Sequence, residues 1–399
     1  MAIVFYNPHK NVMLGLTLMN WLNKSKLPLK YNYLLELLQK GEAKIYCDNK
    51  GSSFPFQANL FNKYFKYIEL YLWKKINKIS KVQCYYDSKQ IKKEDYLFFF
   101  AYDFLQKKIN FNCENVLNID CNKLVHFSHY FFRTMEISQN LSAFNNIYIV
   151  AESDLKNNSP YFNKYFNWYN KNVYVLPFVV SERFLELNTF NNRENRCLAV
   201  GSFMTMEKED YNECMLNYLN SDTIQPIRKD IYLNKNNLTS YIECRIDYIN
   251  EFWNLNKTKI EGKESKFNTI INTYKKKIKN NWGKSNHFKA NIVNLYNDYK
   301  MVFSSDDAGE LPSISFFEAM VCGCVNIALP SSNLLDLGLI EGFHYIGFDG
   351  TLKNLLEKIS YYQKNEKELD AIAKNGNLFC KEIFKKDYVI TKFRNHFAF

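Results

Sequence analysis

The apolar residues of this chain come in short runs, and that limits the fold more than any other feature. The stretches "AIVFY" (2–6), "AKIYCDN" (43–49), "YLFFFAYDF" (96–104), "KLVHFSHYF" (123–131) and "NIYIVAESD" (146–154) are separated by segments with helical periods. Continuous apolar runs of strand length are buried on both faces. They predict a parallel sheet with helices on both sides, an α/β architecture. A second series follows in "CLAVGSF" (197–203), "YKMVFSS" (299–305), "CVNIAL" (324–329) and "FHYIGFD" (343–349). Between the two, "NVYVLPFVVSERF" (172–184) runs a strand into Pro177, and "FNNRENR" (190–196) is polar and loop-like. The 399 residues are too many for one core. A boundary is expected near 180–195, with helical segments filling roughly 208–298, helices at 313–322 and 351–365, and a terminal helix.

Charge and cysteine usage narrow the function classes. The net charge of +11 draws nucleic acid, anionic lipid or phosphorylated substrates. Scattered lysines with no nucleic-acid motif argue against the first. The charge gathers in "NLFNKYFKYIELYLWKKINKISK" (59–81), where Phe61, Phe65, Ile68, Leu72, Ile76 and Ile79 share a helical face among tyrosines and lysines. Such a helix suits an anionic membrane surface, or packs on its own domain. The second basic run, "YKKKIKNNWGKS" (274–285), reads as a solvated helix end. Of ten cysteines only Cys322 and Cys324 stand close, as C-x-C, which fits neither a zinc site nor a disulfide framework. Reduced thiols in a cytoplasmic protein are expected. The start "MAIVFYNPHK" lacks the pattern of a signal peptide, and the longest apolar patch, 96–105, is about half a membrane span. The expected location is cytoplasmic, peripheral on the inner membrane face where 59–81 meets lipid.

The stretch "DDAGELPSISFFEAMVCGCVNIALPSS" (306–332) holds the chemistry. Pro312 suits a first helical turn. Ile314, Phe317 and Val321 fall on one face, and Gly323 suits a C-cap. A loop therefore reaches a helix N-terminus just beyond the strand "KMVFS". That edge of an α/β sheet holds ligands, and free N–H groups there favour phosphate. Glu310 and Glu318 flank this seat, and each carboxylate can accept from two sugar hydroxyls. The alternative is a solvated Glu310 and a Glu318 paired with a surface lysine.

"GELPSISFFEAMVCGCVNIAL" resembles the E-x7-E segment of retaining glycosyltransferases of the GT-B fold, and "FFEAMVCGCVNIA" is similar to their Glu-Ala-Met-Ala-Cys-Gly phrase. "YIVAESDLKN", "NVYVLPFVVSERF" and "CLAVGSF" resemble, in the right order, a late N-terminal strand, the interdomain phrase and the first strand of the nucleotide-binding domain. The resemblance covers most of 146–375. It implies two Rossmann-like domains facing across a cleft: 1–185 for the acceptor, 186–375 for a nucleotide-sugar, and a helix within 376–399 crossing back to the first. It implies that Glu310 contacts the donor sugar, that Glu318 holds the ribose, and that the backbone of Leu311, Ser313 and Ile314 faces the diphosphate. No metal or cofactor is implied.

The sequence departs from the family in two places. Ser202 follows Gly201 where the family has Arg, so Lys208, Arg228 and Lys229 are the candidate cations for the leaving diphosphate. Leu-Pro-Ser replaces the family's Gly-Phe-Gly after the first Glu. A family histidine near the anomeric centre points to His129 or His126, and His9, Lys10 and Gly15 fall on the acceptor side. The expected reaction transfers a sugar from a nucleotide-sugar to a hydroxyl of a lipid-linked glycan, with retention, in cell-surface polysaccharide assembly. The rival readings are an inverting transferase using His129 as base and a non-catalytic partner of the same fold.

Overall fold

The computed structural model describes residues 1–10, 14–16, 31–48, 61–79, 81–101, 116–127, 134–204, 224–249, 291–303 and 312–397. The chain forms two compact units, Met1–Val179 with Lys386–Phe399, and Val180–Lys385.

The first unit is built on strands β1 (Ile3–Tyr6), β2 (Ala43–Tyr46), β3 (Cys84–Tyr85), β4 (Tyr96–Phe100), β5 (Asn122–Phe127), β6 (Ile147–Ala151) and β7 (Tyr174–Val175). They pair in parallel in the order β3-β2-β1-β4-β5-β6-β7. Every residue of β1 is buried, and Phe5 meets Phe98 of β4 at 4.9 Å between ring centroids. Helices α1 (Leu35–Gln39), α2 (Phe61–Ile76), α3 (Thr134–Ser142), α4 (Leu155–Asn158) and α5 (Pro160–Tyr165) accompany the sheet. The short edge strand β3 was not expected from sequence. The expected apolar face of α2 is also corrected. Leu70 and Trp73 enter the core, whereas Ile68 is 51% and Tyr71 57% exposed. Trp73 is the largest of the fully buried side chains, and its burial sets the helix rotation.

In the second unit β8 (Glu194–Met204), β9 (Ile242–Ile249), β10 (Tyr299–Phe303), β11 (Val325–Ala328) and β12 (Ile346–Gly347) form a parallel sheet in the order β12-β11-β10-β8-β9. Its helices are α6 (Ile224–Asn234), α7 (Ile292–Asp298), α8 (Ile314–Val321), α9 (Ser332–Asp336), α10 (Leu352–Lys364) and α11 (Glu366–Ile383). β9 lies where helix was expected. In "IECRIDYI" Ile242 and Ile246 are buried and Arg245 is exposed, the alternation of an edge strand. The expected single terminal helix is two. α11 ends at Ile383, and α12 (Lys386–Phe397) belongs to the first unit. There Val389, Ile390, Phe393 and Phe397 join the core, and Arg394 holds Glu42 through two bonds of 2.8 and 3.0 Å. Among the described residues no helix is long and apolar enough to cross a membrane.

The Cys-Gly-Cys turn closes α8. Cys324 N–H donates to Ala319 C=O at 3.0 Å and Gly323 N–H to Met320 C=O at 2.9 Å, a Schellman motif with Gly323 at φ +85°. Buried Arg193 donates to Cys322 C=O at 2.7 Å, to Asn188 C=O at 2.8 Å and to Tyr296 C=O at 3.4 Å. It thereby ties the segment before β8 to the ends of α7 and α8. A Cβ on residue 323 would stand 3.0 Å from both Arg193 Nη2 and Glu186 Oε1. Gly323→Ala should therefore cost about 1–3 kcal/mol, read as a lower urea midpoint.

Candidate functional site

In the second sheet the chain leaves β8 for β9 on one side and returns to β10 on the other. This reversal is a topological switch point, and its crevice opens at the carboxyl ends of β8 and β10. Gly201 lies near that end of β8, at φ +118°. α6 buries Ile224, Ile227 and Ile231 against the sheet, and Arg228 shares that face. Its guanidinium lies over Gly201: a Cβ there would stand 3.1 Å from Nε and 3.2 Å from Cζ. Only a glycine gives both the backbone angle and the space. A buried, permanently charged cation thus sits at the switch point. Lys229, the next residue, is exposed.

α8 follows β10. Pro312 was expected inside its first turn and stands before it, because Ser313 takes the N-cap with an extended backbone (ψ 152°). The Ser313 side chain makes no capping bond; its Oγ meets Ser315 Oγ at 2.7 Å. Ile314, expected on the core face, is only half-buried, while Phe316 through Val321 are all buried. Glu318 is among them at 8% exposure, so it is no solvated surface acid. Burial, and then the Glu318 carboxylate, raise the Tyr296 phenol well above its usual range. Burial pushes the Cys322 thiol up to about 12 despite the nearby Arg193 charge.

The carboxyl edge of the first sheet collects a polar set of its own. His9 follows β1 in a short 3-10 turn and is fully buried. Before it, Asn7 holds a left-handed backbone at φ +41° and accepts from Asp48 N–H at 3.1 Å. Tyr6 Oη donates to Asp48 Oδ2 at 3.1 Å. Burial and then the Asp48 carboxylate push Tyr46 up to about 12. His126, on β5, is fully buried, with Tyr31 edge-on at 4.3 Å and Phe100 at 5.3 Å. Tyr31 donates its hydroxyl to Glu152, which follows β6. Gly15 abuts Asn77, whose side chain bonds both Leu16 N–H and C=O at 3.0 Å.

Thus Gly201 and Arg228 come together, and so do Ser313, Ile314 and Glu318 on α8. His9 and His126 lie in the other unit. Glu310, Leu311, His129 and Lys208 lie outside the described residues, as does the run 274–285. The Lys10 backbone lies in the turn with His9. Sequence reasoning passed over Asp48, Glu152 and Tyr31. The available signal was an acid one or two residues after the end of each of two apolar strands.

Residues 254–393 match a family model described as "Glycosyl transferase-like". No curated protein matches the chain by sequence. Among solved structures, Anabaena HepE in complex with UDP and glucose aligns over 100% of this chain and 99% of its own, at 10% identity and TM-score 0.51. Sucrose-phosphate synthase from Thermosynechococcus elongatus aligns over 100% and 99%, at 10% identity and TM-score 0.48. TarM aligns over 78% of this chain and 56% of its own, at 12% identity and TM-score 0.45. The two parallel α/β units have the GT-B fold. Glycosyltransferases are thus what the chain is similar to, by a family model over 254–393 and by the fold of its two units.

The Cys322 environment has a testable consequence. Thiolate, the reactive form, appears there only near pH 12. Iodoacetamide at pH 8 should leave Cys322 unlabelled in the native protein and label it after denaturation, as peptide mass spectrometry would read out.

Proposed function

We propose that this chain is a glycosyltransferase that moves a sugar from a nucleoside-diphosphate donor to a hydroxyl of a lipid-linked glycan in cell-surface polysaccharide assembly, with retention and without a metal. The observation that carries the donor half is the buried Arg228 guanidinium over Gly201, in the same unit as the start of α8. Negative charge grows on the diphosphate as the glycosidic bond breaks, and a fixed cation with helix N–H groups stabilises it. In this reading Arg228 takes the diphosphate, assisted by Lys229 and Lys208. The backbone of Leu311, Ser313 and Ile314 faces it, Glu318 holds the ribose and Glu310 the sugar. HepE, which shares the fold, has been solved with UDP-glucose, so a UDP-sugar is the first donor to test.

Thermal shift with UDP-glucose should raise the melting temperature of wild type. The gain is worth about 2.7 kcal/mol at a hundredfold excess over the dissociation constant. Gly201→Ala, Arg228→Ala and Glu318→Gln should each lose most of that gain, measured from their own ligand-free baselines. Equal shifts in all three would remove these residues from the donor site. The product's anomeric configuration, read by NMR, decides between retention and an inverting route through His129. Donor binding without turnover on any acceptor would favour a non-catalytic role.

The lipid-linked acceptor rests on the outer face of α2. Ile68 and Tyr71 are exposed there beside Lys75 and Lys78, with Lys75 Nζ 5.6 Å from the Tyr71 ring centre. Exposed apolar groups interleaved with cations suit an anionic lipid surface. Vesicles containing phosphatidylglycerol should bind the protein, and Lys75→Glu with Lys78→Glu should weaken binding by about 2 kcal/mol or more. Equal binding of both proteins, or of wild type to neutral vesicles, would remove the membrane from this reading.

A further inference from the structure

The bond between Tyr31 and Glu152 spans the carboxyl edge of the first sheet. Glu152 follows β6 and is 4% exposed; Tyr31 precedes α1 and is fully buried. The phenol hydroxyl donates to Glu152 Oε1. The same ring stands edge-on to the His126 imidazole at 4.3 Å and lies 5.3 Å from Phe100 at the end of β4. One side chain therefore touches residues at the ends of β4 and β5 and is anchored to the residue after β6. A carboxylate buried this deeply is costly unless its partners are held in place. A phenol edge presented to an imidazole fixes the ring plane of both. The Glu152 charge also reaches Tyr33, whose phenol is raised first by burial and then by that carboxylate.

We propose that Glu152 is a positioning residue of the acceptor half: through Tyr31 it fixes the imidazole of His126 at the sheet edge where the acceptor hydroxyl is presented. This rests on the transferase reading above. Glu152 itself touches no reacting atom in this account. It holds Tyr31, and Tyr31 holds His126. Because the whole chain of contacts lies in the first unit, breaking it should change turnover and leave nucleotide affinity alone.

The experiment compares wild type with Tyr31→Phe, Glu152→Gln and the double variant. His126→Asn assigns the His126 ring signals in nitrogen NMR. The ring signals of His126 should move in Tyr31→Phe and those of His344 and His396 should not. UDP release from UDP-glucose, with n-octyl β-D-glucoside or water as acceptor, should fall about tenfold, as expected for one lost hydrogen bond to a charged group. Calorimetric affinity for UDP should stay within about twofold, and the double variant should be no worse than Tyr31→Phe, since both single changes break the same bond. Unmoved His126 signals would overturn the proposal. So would a rate loss that follows only the folded fraction in melting curves, or equal rates in all variants. A wild type that binds no UDP is a different failure and overturns the transferase reading instead.

Discussion

A strand in a parallel sheet cannot turn straight back into its neighbour. It must be followed by a crossover, so every loop that leaves a strand opens at the same edge. The chemistry of this chain depends on that constraint. In the second unit the shared edge gathers the end of β8 with Gly201, the end of β10, and the helix that follows it. In the first it gathers Asn7 and His9 after β1, Asp48 after β2, His126 on β5 and Glu152 after β6. The layers beneath are almost wholly aliphatic and aromatic. Polar groups concentrate where the backbone leaves the sheet, and the strands below serve as a rigid floor for them.

α8 shows how such an edge is held. Its residues from Phe316 to Val321 are all buried, so the helix can hardly rotate or slide. Its end is closed by the Gly323 turn and by Arg193, which takes the Cys322 carbonyl from below. Its start is different. Ser313 directs its hydroxyl to Ser315 and leaves the first-turn amides alone, and among the described residues the N–H groups of Ile314 and Ser315 make no hydrogen bond. A helix clamped at its C-terminus and uncapped at its N-terminus has stiffness at one end and unspent donors at the other. Anion binding needs that combination.

The sheets were legible in the sequence because burial on both faces leaves continuous apolar runs. The edges were not. β3 has two residues, and β9 alternates Ile with Glu and Arg, so neither resembles a buried strand. The rotation of α2 was misread because a six-residue apolar stripe outweighed one Trp in the pattern, whereas in the core the large indole takes the buried position. Glu318 could be placed on the helix after β10 from its spacing, but its burial could not be foreseen. Asp48 and Glu152 were harder still. An acid after a strand reads as a solvated loop residue until the fold brings Tyr6 or Tyr31 against it. The partners of Glu152 come from far along the chain, and single-sequence periodicity carries no such information.

Arg228 shows what a position-by-position reading leaves out. The family phrase places an Arg directly after the glycine of the first strand, and here Ser202 occupies that position. Taken position by position, the cation is missing. The transferase reading asks for something different: a charge near the carboxyl end of β8, wherever its backbone starts. α6 brings a buried guanidinium there, because Ile224, Ile227 and Ile231 press one face onto the sheet and Arg228 lies on that face. Gly201 then has to lack a side chain, since the guanidinium fills the space a Cβ would need. The glycine and the arginine are far apart in sequence and constrain each other in space, so replacing either one should disturb the other.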